Sequence, residues 1–183
     1  MKTLKITLLI FAATLAAAFV VEKQPEKTLE IVTIPADETT YKASMDGWEV
    51  NVNKAYEISK KTGKPIMANF TGSDWCGWCI RLKNEVFTKD GFKTWAKDNV
   101  VLLELDFPRK FQLPEEIKQQ NYGLQQAFGV TGYPTIWVFN LTKTETGQYN
   151  IDALGKTGYV AGGPSKFQEG VEAMVAQYNE TKN

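Results

Sequence analysis

Apolar and polar residues alternate along this chain with periods that predict a regular succession of strands and helices. Short apolar runs predict buried strands over residues 65–70, 100–107, 135–140 and 149–154. Apolar residues three or four positions apart predict helices with one buried face over residues 52–59, 76–86, 90–98, 117–128 and 165–178. A weaker alternation over residues 29–34 predicts an additional strand at the edge of the sheet.

Turn-forming residues separate these segments. Residues 108–120 are charged and interrupted by proline, which predicts a loop, and residues 142–147 predict a turn between the last two strands. Gly129 follows the fourth helix at a position where glycine commonly ends a helix. Ser165 and Gln168 are spaced as a capping box for the final helix. Five residues that break regular structure precede that helix: Gly155, Gly158, Gly162, Gly163 and Pro164.

The succession of elements indicates the class of fold. From the first buried strand onward, the main elements are strand, helix, strand, helix, strand, strand and helix. This alternation predicts an α/β fold with three layers, in which a central mixed sheet is flanked by helices. The chain has 183 residues, of which 43% are hydrophobic, so it is long enough for one domain with a substantial core.

The beginning of the chain predicts a signal peptide. Lys2 and Lys5 provide a basic start, and an uncharged, largely apolar run of 16 residues follows over residues 6–21. Because a membrane-spanning helix needs roughly 20 residues, a cleaved signal is favoured and an uncleaved anchor is the alternative. We therefore expect a periplasmic or secreted protein in three parts. They are a signal peptide over residues 1–18, an N-terminal extension over residues 19–45 and a globular domain over residues 46–183.

Charge and composition exclude several classes of function. Lys+Arg and Asp+Glu number 21 each, so no overall charge favours nucleic acid as a partner. The chain contains no histidine, which excludes Cys-His and Ser-His nucleophilic catalysis and histidine metal sites. Cys76 and Cys79 are the only cysteines, and two ligands do not complete a zinc site. We expect neither a metal nor another cofactor, which leaves redox chemistry for the two thiols.

The spacing of Cys76 and Cys79, at the start of a predicted helix, suits reversible disulfide chemistry. A disulfide across so small a loop restrains the unfolded chain by only about 2 kcal/mol in the chain-entropy model, which makes it a weak structural link. The same spacing lets one thiolate attack a partner's disulfide while the other thiol resolves the mixed disulfide. An inert local disulfide is the alternative interpretation.

Three features together resemble the thioredoxin superfamily. The motif Trp75-Cys76-Gly77-Trp78-Cys79 follows a buried strand, Gly132-Tyr133-Pro134-Thr135 precedes another, and the order of strands and helices agrees with a thioredoxin fold. The resemblance covers roughly residues 46–180. It is nearest to exported bacterial thioredoxin-like proteins whose active site follows a Phe-Thr-Gly-Ser-Asp-Trp stretch.

The resemblance implies different roles for the two cysteines. Cys76 would be exposed at the N-terminus of its helix, where the dipole and unpaired N–H groups stabilise a thiolate and lower the pKa of a thiol. Cys76 would therefore be the nucleophile. Cys79, which lies on the buried face of the same helix, would be the resolving thiol.

The resemblance also implies a surface that binds substrate. Pro134 would be the cis-proline of the family, and the backbone of Tyr133 would pair with an extended substrate peptide. The alternative for Pro134 is an ordinary trans proline in a turn. Trp75 and Trp78 would border the cysteines, and we expect Trp78 to form an apolar rim for peptide docking rather than to pack only on the protein itself.

Two departures from the family pattern stand out. Thioredoxins usually carry a buried carboxylate beneath the resolving cysteine, whereas this chain has Asn69 at the corresponding place. Since an amide cannot act as a base, deprotonation of Cys79 would use water or be slower. Asp74 is close in sequence, but we expect it to face solvent. The second departure is the charged segment 108–120, which we interpret as a solvated loop, with a role in partner choice as the alternative.

These observations predict an exported thiol:disulfide oxidoreductase. It would reduce or isomerise disulfides in other exported proteins through a mixed disulfide on Cys76. We expect it to act as a monomer and to receive electrons from a membrane partner. Gly77 and Trp78 add no positive charge between the cysteines, which argues against a strong oxidant. The alternative is a thioredoxin-like binding or chaperone module without redox turnover.

Overall fold

The computed structural model describes residues 27–29 and 40–180, with side chains from residue 40 onward. This part of the chain contains five helices, five strands and one π-helical turn. The helices α1 to α5 are Val52–Thr62, Gly77–Leu82, Asp90–Asn99, Glu115–Ala127 and Gly163–Glu180. The strands β1 to β5 are Lys27–Leu29, Ile66–Thr71, Val101–Asp106, Thr135–Lys143 and Tyr149–Thr157. The π-helical turn Lys83–Phe87 directly follows α2.

The strands form one mixed sheet in the order β1-β5-β4-β2-β3. β2 and β3 are parallel, and the other neighbouring strands are antiparallel. An edge strand is present, because β1 pairs with β5. Of the edge strand predicted over residues 29–34, only Leu29 belongs to β1, and residues 30–34 lie outside the described residues.

Alternation of side chains along β2 divides the interior into two cores. Ile66, Ala68 and Phe70 pack in one core with residues of α1 and α4. Met67 packs in the other core with residues of α2, α3 and α5. The period of two along a strand places Asn69 on the same face as Met67, which is the face that carries α2. Helices therefore cover both faces of a mixed sheet, and the predicted three-layer α/β fold is confirmed.

The predicted loop over residues 108–120 was wrong in its second half, because α4 begins at Glu115. Pro114 occupies the N-cap position with an extended backbone. Glu115 and Glu116 form the first turn, where negative charge suits the helix dipole. Ile117 and Gln120 are fully buried, so tertiary contacts hold a segment that reads as polar in the sequence.

The chain before α5 also differs from the prediction. Gly155 lies inside β5 rather than in a break. A Cβ at this position would come within 2.9 Å of Met174 Cγ. The side chain of Met174 in α5 therefore packs directly on this position of the strand and would have to move for a larger residue. The predicted capping box is absent, because α5 already begins at Gly163. Gln168 instead donates a hydrogen bond from Nε2 to the carbonyl of Gly91 at 3.2 Å.

The turn predicted over residues 142–147 is shorter than expected. β4 continues to Lys143, and the turn closes with a hydrogen bond from Gly147 N to Thr144 O at 3.0 Å.

Part of the predicted N-terminal extension packs on the α2 side of the sheet. The backbone N and the hydroxyl of Ser44 each donate to the carboxylate of Glu104 at 2.7 Å. Lys83 Nζ donates to Ser44 O at 2.9 Å. The predicted signal peptide lies outside the described residues. In the part of the chain that the structure describes, no helix combines the length and apolar character of a membrane span.

Candidate functional site

Cys76 and Cys79 form a disulfide at the N-terminus of α2. Cys76 is the N-cap residue, and its Sγ accepts a hydrogen bond from the backbone N of Cys79 at 3.2 Å. Its own backbone N donates to Gly72 O at 2.9 Å, which holds the loop before the helix in a turn. Because a helix N-terminus stabilises negative charge, this arrangement favours a thiolate on Cys76. Cys79 lies with Leu82 on the buried face of α2.

Cys76 is less exposed than its position predicts. It is 7% exposed, only slightly more than Cys79 at 4%. The disulfide holds its Sγ against the first turn of α2, which explains the low exposure of this oxidised form. Trp78, between the two cysteines, is 55% exposed. An exposed indole therefore lies between the two cysteines in the sequence, on the first turn of α2.

The loop before β4 contains the predicted cis peptide bond, between Tyr133 and Pro134. The ring of Tyr133 meets the ring of Trp75 edge to face, with centroids 5.9 Å apart. Its hydroxyl accepts a hydrogen bond from Gln125 Nε2 at 2.5 Å. Burial raises the pKa of Tyr133 to about 12, so the phenol stays protonated at neutral pH. The structure thus places the proline loop beside the residue that precedes Cys76.

Trp75 is held on three sides. Its Nε1 donates to the carbonyl of Phe107 at 2.8 Å. The guanidinium carbon of Arg109 lies 3.5 Å from its ring centroid, a close cation–π contact. Tyr133 covers a third side, and Tyr133 also contacts Phe107 at 5.1 Å between centroids. Trp75 is therefore a fixed part of the wall beside the cysteines.

Trp78 is exposed and is also packed on the protein. Its ring lies 5.1 Å from that of Tyr159, and the guanidinium carbon of Arg81 lies 5.5 Å from its centroid. Arg81 forms a salt bridge with Glu85 at 2.7 Å, and the Tyr159 hydroxyl donates to the same carboxylate at 2.6 Å. The hydrogen bond from Tyr159 and the ion pair with Arg81 lower the pKa of Glu85. Trp78 thus packs on the protein with part of its ring while much of the ring is open, and its role in peptide docking stays a prediction.

Asp74 does not simply face solvent as predicted. Its carboxylate accepts hydrogen bonds from the backbone N of Arg109 at 3.1 Å and of Lys110 at 2.6 Å. Partial desolvation tends to raise the pKa of Asp74, but these hydrogen bonds outweigh it and leave the pKa below its ordinary value. Asp74 therefore fastens the charged segment after β3 to the loop that precedes Cys76.

Buried polar groups lie on the α2 face of the sheet. Asn69 is 4% exposed, and its Oδ1 has no hydrogen-bond partner among residues 40–180. The β2–β3 register places Asn69 beside Glu104, which is 1% exposed. Burial raises the pKa of Glu104 despite the hydrogen bonds from Ser44. Burial likewise raises the pKa of Asp106, which accepts hydrogen bonds from the backbone and hydroxyl of Ser73.

Several residues of this site were missed by sequence reasoning. Arg109, Gln125 and Tyr159 come from distant segments, and no motif connects them with the cysteines. Arg81 lies three positions after Trp78 on the same helix, so helical spacing could have indicated that contact. Among residues 40–180, no group of three or more Cys, Asp or Glu side chains is arranged to hold a metal ion.

Comparison with known proteins points to one family. Residues 52–156 match the family described as Thioredoxin-like domain. The chain is 35% identical over 114 residues to Disulfide bond reductase DsbH of Chlamydia pneumoniae. This matched region covers 62% of this chain and 68% of that protein. It is 27% identical over 108 residues to Thioredoxin-related protein DsbJ of the same organism, covering 59% of this chain and 30% of the other.

Solved structures agree with this match. A structure described as DsbH Oxidoreductase aligns with a TM-score of 0.60 at 30% identity, covering 76% of this chain and 94% of the other. A thioredoxin from Thermus thermophilus aligns with a TM-score of 0.50 at 14% identity, covering 72% and 88%, which supports the fold alone. The predicted thioredoxin fold is confirmed. With the Cys76–Cys79 disulfide, these similarities identify thiol:disulfide exchange as the chemistry of the site.

Proposed function

We propose, on the premise that this chain belongs to the thioredoxin-like family and is a thiol:disulfide oxidoreductase, that it reduces disulfide bonds in exported proteins. The observation that carries this proposal is the Cys76–Cys79 disulfide at the N-terminus of α2, where Cys76 Sγ accepts a backbone N–H. The name of the DsbH relative, a disulfide bond reductase, supports reduction as the direction of the reaction.

The reaction begins with the reduced protein and transfers two electrons to the substrate. The thiolate of Cys76 attacks one sulfur of the substrate disulfide, which forms a mixed disulfide and releases one substrate thiolate. Cys79 loses its proton and attacks Cys76 Sγ. This second step forms the Cys76–Cys79 disulfide and releases the second substrate thiolate. Both substrate thiolates take up protons from solvent, and the oxidised protein has the Cys76–Cys79 disulfide seen at the start of α2.

The surroundings of the cysteines support a reductant rather than a strong oxidant. One backbone N–H reaches Cys76 Sγ, which is a modest stabilisation of the thiolate. The guanidinium of Arg81, on α2, is paired with Glu85, and that of Arg109 lies over the ring of Trp75. A less stabilised thiolate makes the reduced form less favourable and therefore a better electron donor.

Export and the electron donor are also part of the proposal. The basic start and apolar run at the N-terminus support delivery to the periplasm or secretion. A reductant outside the cytoplasm needs a source of electrons, so we propose a membrane partner that reduces the Cys76–Cys79 disulfide after each turnover. Fractionation of cells that express the full chain tests export, since recovery in the cytoplasm would contradict it.

The redox potential of the Cys76–Cys79 couple tests the direction. Equilibration with glutathione buffers, followed by trapping of free thiols, should give a potential nearer to that of thioredoxin, about −270 mV, than to that of a strong oxidant, about −120 mV. A potential close to that of the strong oxidant would contradict the proposed direction.

Insulin reduction separates an enzyme from a binding or chaperone module. Wild type should turn over and Cys76→Ser should not, whereas inactive wild type would leave only binding.

A further inference from the structure

The charged segment between β3 and α4 is fastened beside the nucleophile. Asp74 accepts hydrogen bonds from the backbone of Arg109 and Lys110, and the Arg109 guanidinium lies over Trp75. The carbonyl of Phe107, at the start of the segment, accepts the indole N–H of Trp75. Trp75 directly precedes Cys76 in the chain. The segment is therefore a fixed neighbour of the reaction site rather than a freely solvated loop.

A cavity of about 240 Å³ opens next to this segment. It is lined in part by Phe107, Arg109, Phe111, Lys118 and Tyr122. Phe111 is 44% exposed and Tyr122 is 54% exposed, and Tyr122 continues an aromatic chain through Phe107 to Tyr133. Sites for small molecules usually measure about 300–1,000 Å³, so this cavity suits a single side chain of a bound peptide better than a cofactor.

The segment beside the cavity has cationic side chains, of which Arg109 lines the cavity and Lys110 follows it in the chain. Arg109 and Lys110 are exposed, and neither side chain forms a salt bridge with any of residues 40–180. Lys118 is weakly paired with Glu115 at 3.5 Å, and Glu116 lies in the same helical turn.

The acids on the other side of this segment are occupied. The carboxylate of Asp74 is turned to the backbone of Arg109 and Lys110. Asp106 is 1% exposed and is held by Ser73. The charge of Asp74 interacts with that of Lys110, but neither Arg109 nor Lys110 forms a side-chain salt bridge with Asp74 or with another of residues 40–180, so both cations keep room for an acidic partner. The chain as a whole is balanced at 21 basic and 21 acidic residues, so the positive charge of this segment is local.

We propose that Arg109, Lys110, Phe111 and Tyr122 form a subsite that selects substrates in which an acidic residue and an aromatic or large apolar residue accompany the disulfide-bonded cysteine. The acidic side chain would pair with Arg109 and Lys110, and the apolar side chain would enter the cavity beside Phe111 and Tyr122. This inference rests on the proposed function, because it names the class of disulfide that Cys76 attacks. The occupant is an extended segment of the substrate protein.

The test compares two disulfide-containing peptides that differ only beside one cysteine, with Asp-Phe in one and Lys-Phe in the other. The rate of oxidation of the reduced protein is measured for each by acid quenching and thiol counting. Since exposed ion pairs contribute modestly, wild type should favour the acidic peptide by about three- to tenfold at low salt. The preference should shrink in about 0.5 M salt, because ions screen exposed charges. Equal rates for the two peptides would overturn the inference.

Variants assign the preference to the subsite. Arg109→Gln/Lys110→Gln should remove most of the preference between the peptides. Lys60→Gln/Lys61→Gln, in the last turn of α1, changes net charge equally and should keep it. Phe111→Ser should slow both peptides but should keep their ratio. A preference that survives Arg109→Gln/Lys110→Gln, or that is lost equally in the α1 control, would overturn the inference.

Neutral hydroxyethyl disulfide separates this inference from the proposed function. If wild type reduces it and shows no preference between the peptides, only the subsite is refuted. If wild type reduces neither hydroxyethyl disulfide nor any peptide, the proposed function fails and the subsite fails with it. Because Arg109 also supports Trp75, the ratio between peptides decides the outcome. A merely structural defect would slow all three substrates together.

Discussion

Replacement of Gly72 by alanine should displace Trp75 and destabilise the protein. A Cβ at Gly72 would lie 2.5 Å from Cε2, 2.6 Å from Nε1 and 2.8 Å from Cζ2 of Trp75. These distances are far below van der Waals contact, so the indole must move. Movement breaks the hydrogen bond from Trp75 Nε1 to Phe107 O, at 2.8 Å, and disturbs the contact with Arg109.

The expected cost can be assembled from these contacts. Overpacking of a filled site costs about 1–3 kcal/mol. Loss of one hydrogen bond costs about 1 kcal/mol. The Gly72→Ala variant should therefore lose about 2–4 kcal/mol of the free energy of unfolding. For a domain of this size that corresponds to a melting temperature lower by roughly 6–15 °C.

Urea unfolding and thermal unfolding, followed by circular dichroism, measure this loss. Gly91→Ala is a matched control, because a Cβ at Gly91 meets nothing within 4 Å and lies in helix α3. That control should be neutral or stabilising by up to about 1 kcal/mol. A double-mutant cycle isolates the clash, since Gly72→Ala should cost little once Trp75→Ala has removed the ring. Wild-type stability of Gly72→Ala, or an undiminished cost without the ring, would refute the reasoning.

The remaining predictions concern the resolving thiol and the buried polar groups. Cys79→Ser should trap substrates on Cys76, because no third cysteine exists to resolve the mixed disulfide; non-reducing gels should show adducts that vanish in the double Cys→Ser variant. Asn69→Asp should lower the free energy of unfolding by about 3 kcal/mol at neutral pH, because it places a carboxyl beside buried Glu104. Urea titrations of the variant and wild type measure this loss. Asn69→Asp should also make the rate of resolution more pH-dependent. Unchanged stability and pH profile would contradict both the cost of a carboxyl beside Glu104 and an effect of this position on Cys79. The pKa of Glu104 is raised in the folded state, so its contribution to stability is greatest at low pH and falls as pH rises from its unfolded pKa through its folded one. Glu104→Gln cannot titrate. The difference in free energy of unfolding between Glu104→Gln and wild type should therefore change with pH between the unfolded and folded pKa values of Glu104. A constant difference would contradict a raised pKa of Glu104.

Most of the fold could be predicted because the signals are local. The run that became β2 is largely apolar because both faces of the strand are buried, and the spacing that became α1 reflects the period of about 3.6 residues that a helix imposes on its buried face. The start of α4 was predicted less well, because helical spacing placed it at residue 117, two residues late, while the charges of residues 108–120 predicted a loop across its first turns. Ile117 and Gln120 are buried by packing against other elements, and a count of charges along the segment carries no trace of that packing.

The sequence likewise predicted only the part of the site whose residues are neighbours in the chain. Trp75, Cys76, Trp78 and Cys79 are neighbours in the sequence, so the motif alone is enough to group them. The exposure of Cys76 was predicted incorrectly, because burial depends on the disulfide and on the turn around it. The roles of the two cysteines remain predictions that the Cys79→Ser variant can test.

By itself, the sequence determined the order of elements, the three-layer class of the fold and the chemistry of the cysteine pair. These follow from residues that are close along the chain, where spacing alone determines which face or which helical turn they share. Only the tertiary structure decided what surrounds that pair. Arg109 reaches Trp75 because Asp74 accepts the backbone N–H groups of the segment after β3, and Tyr159 reaches Trp78 from the end of β5. Such contacts join segments far apart in the chain, and they exist only once both cores have brought those segments together.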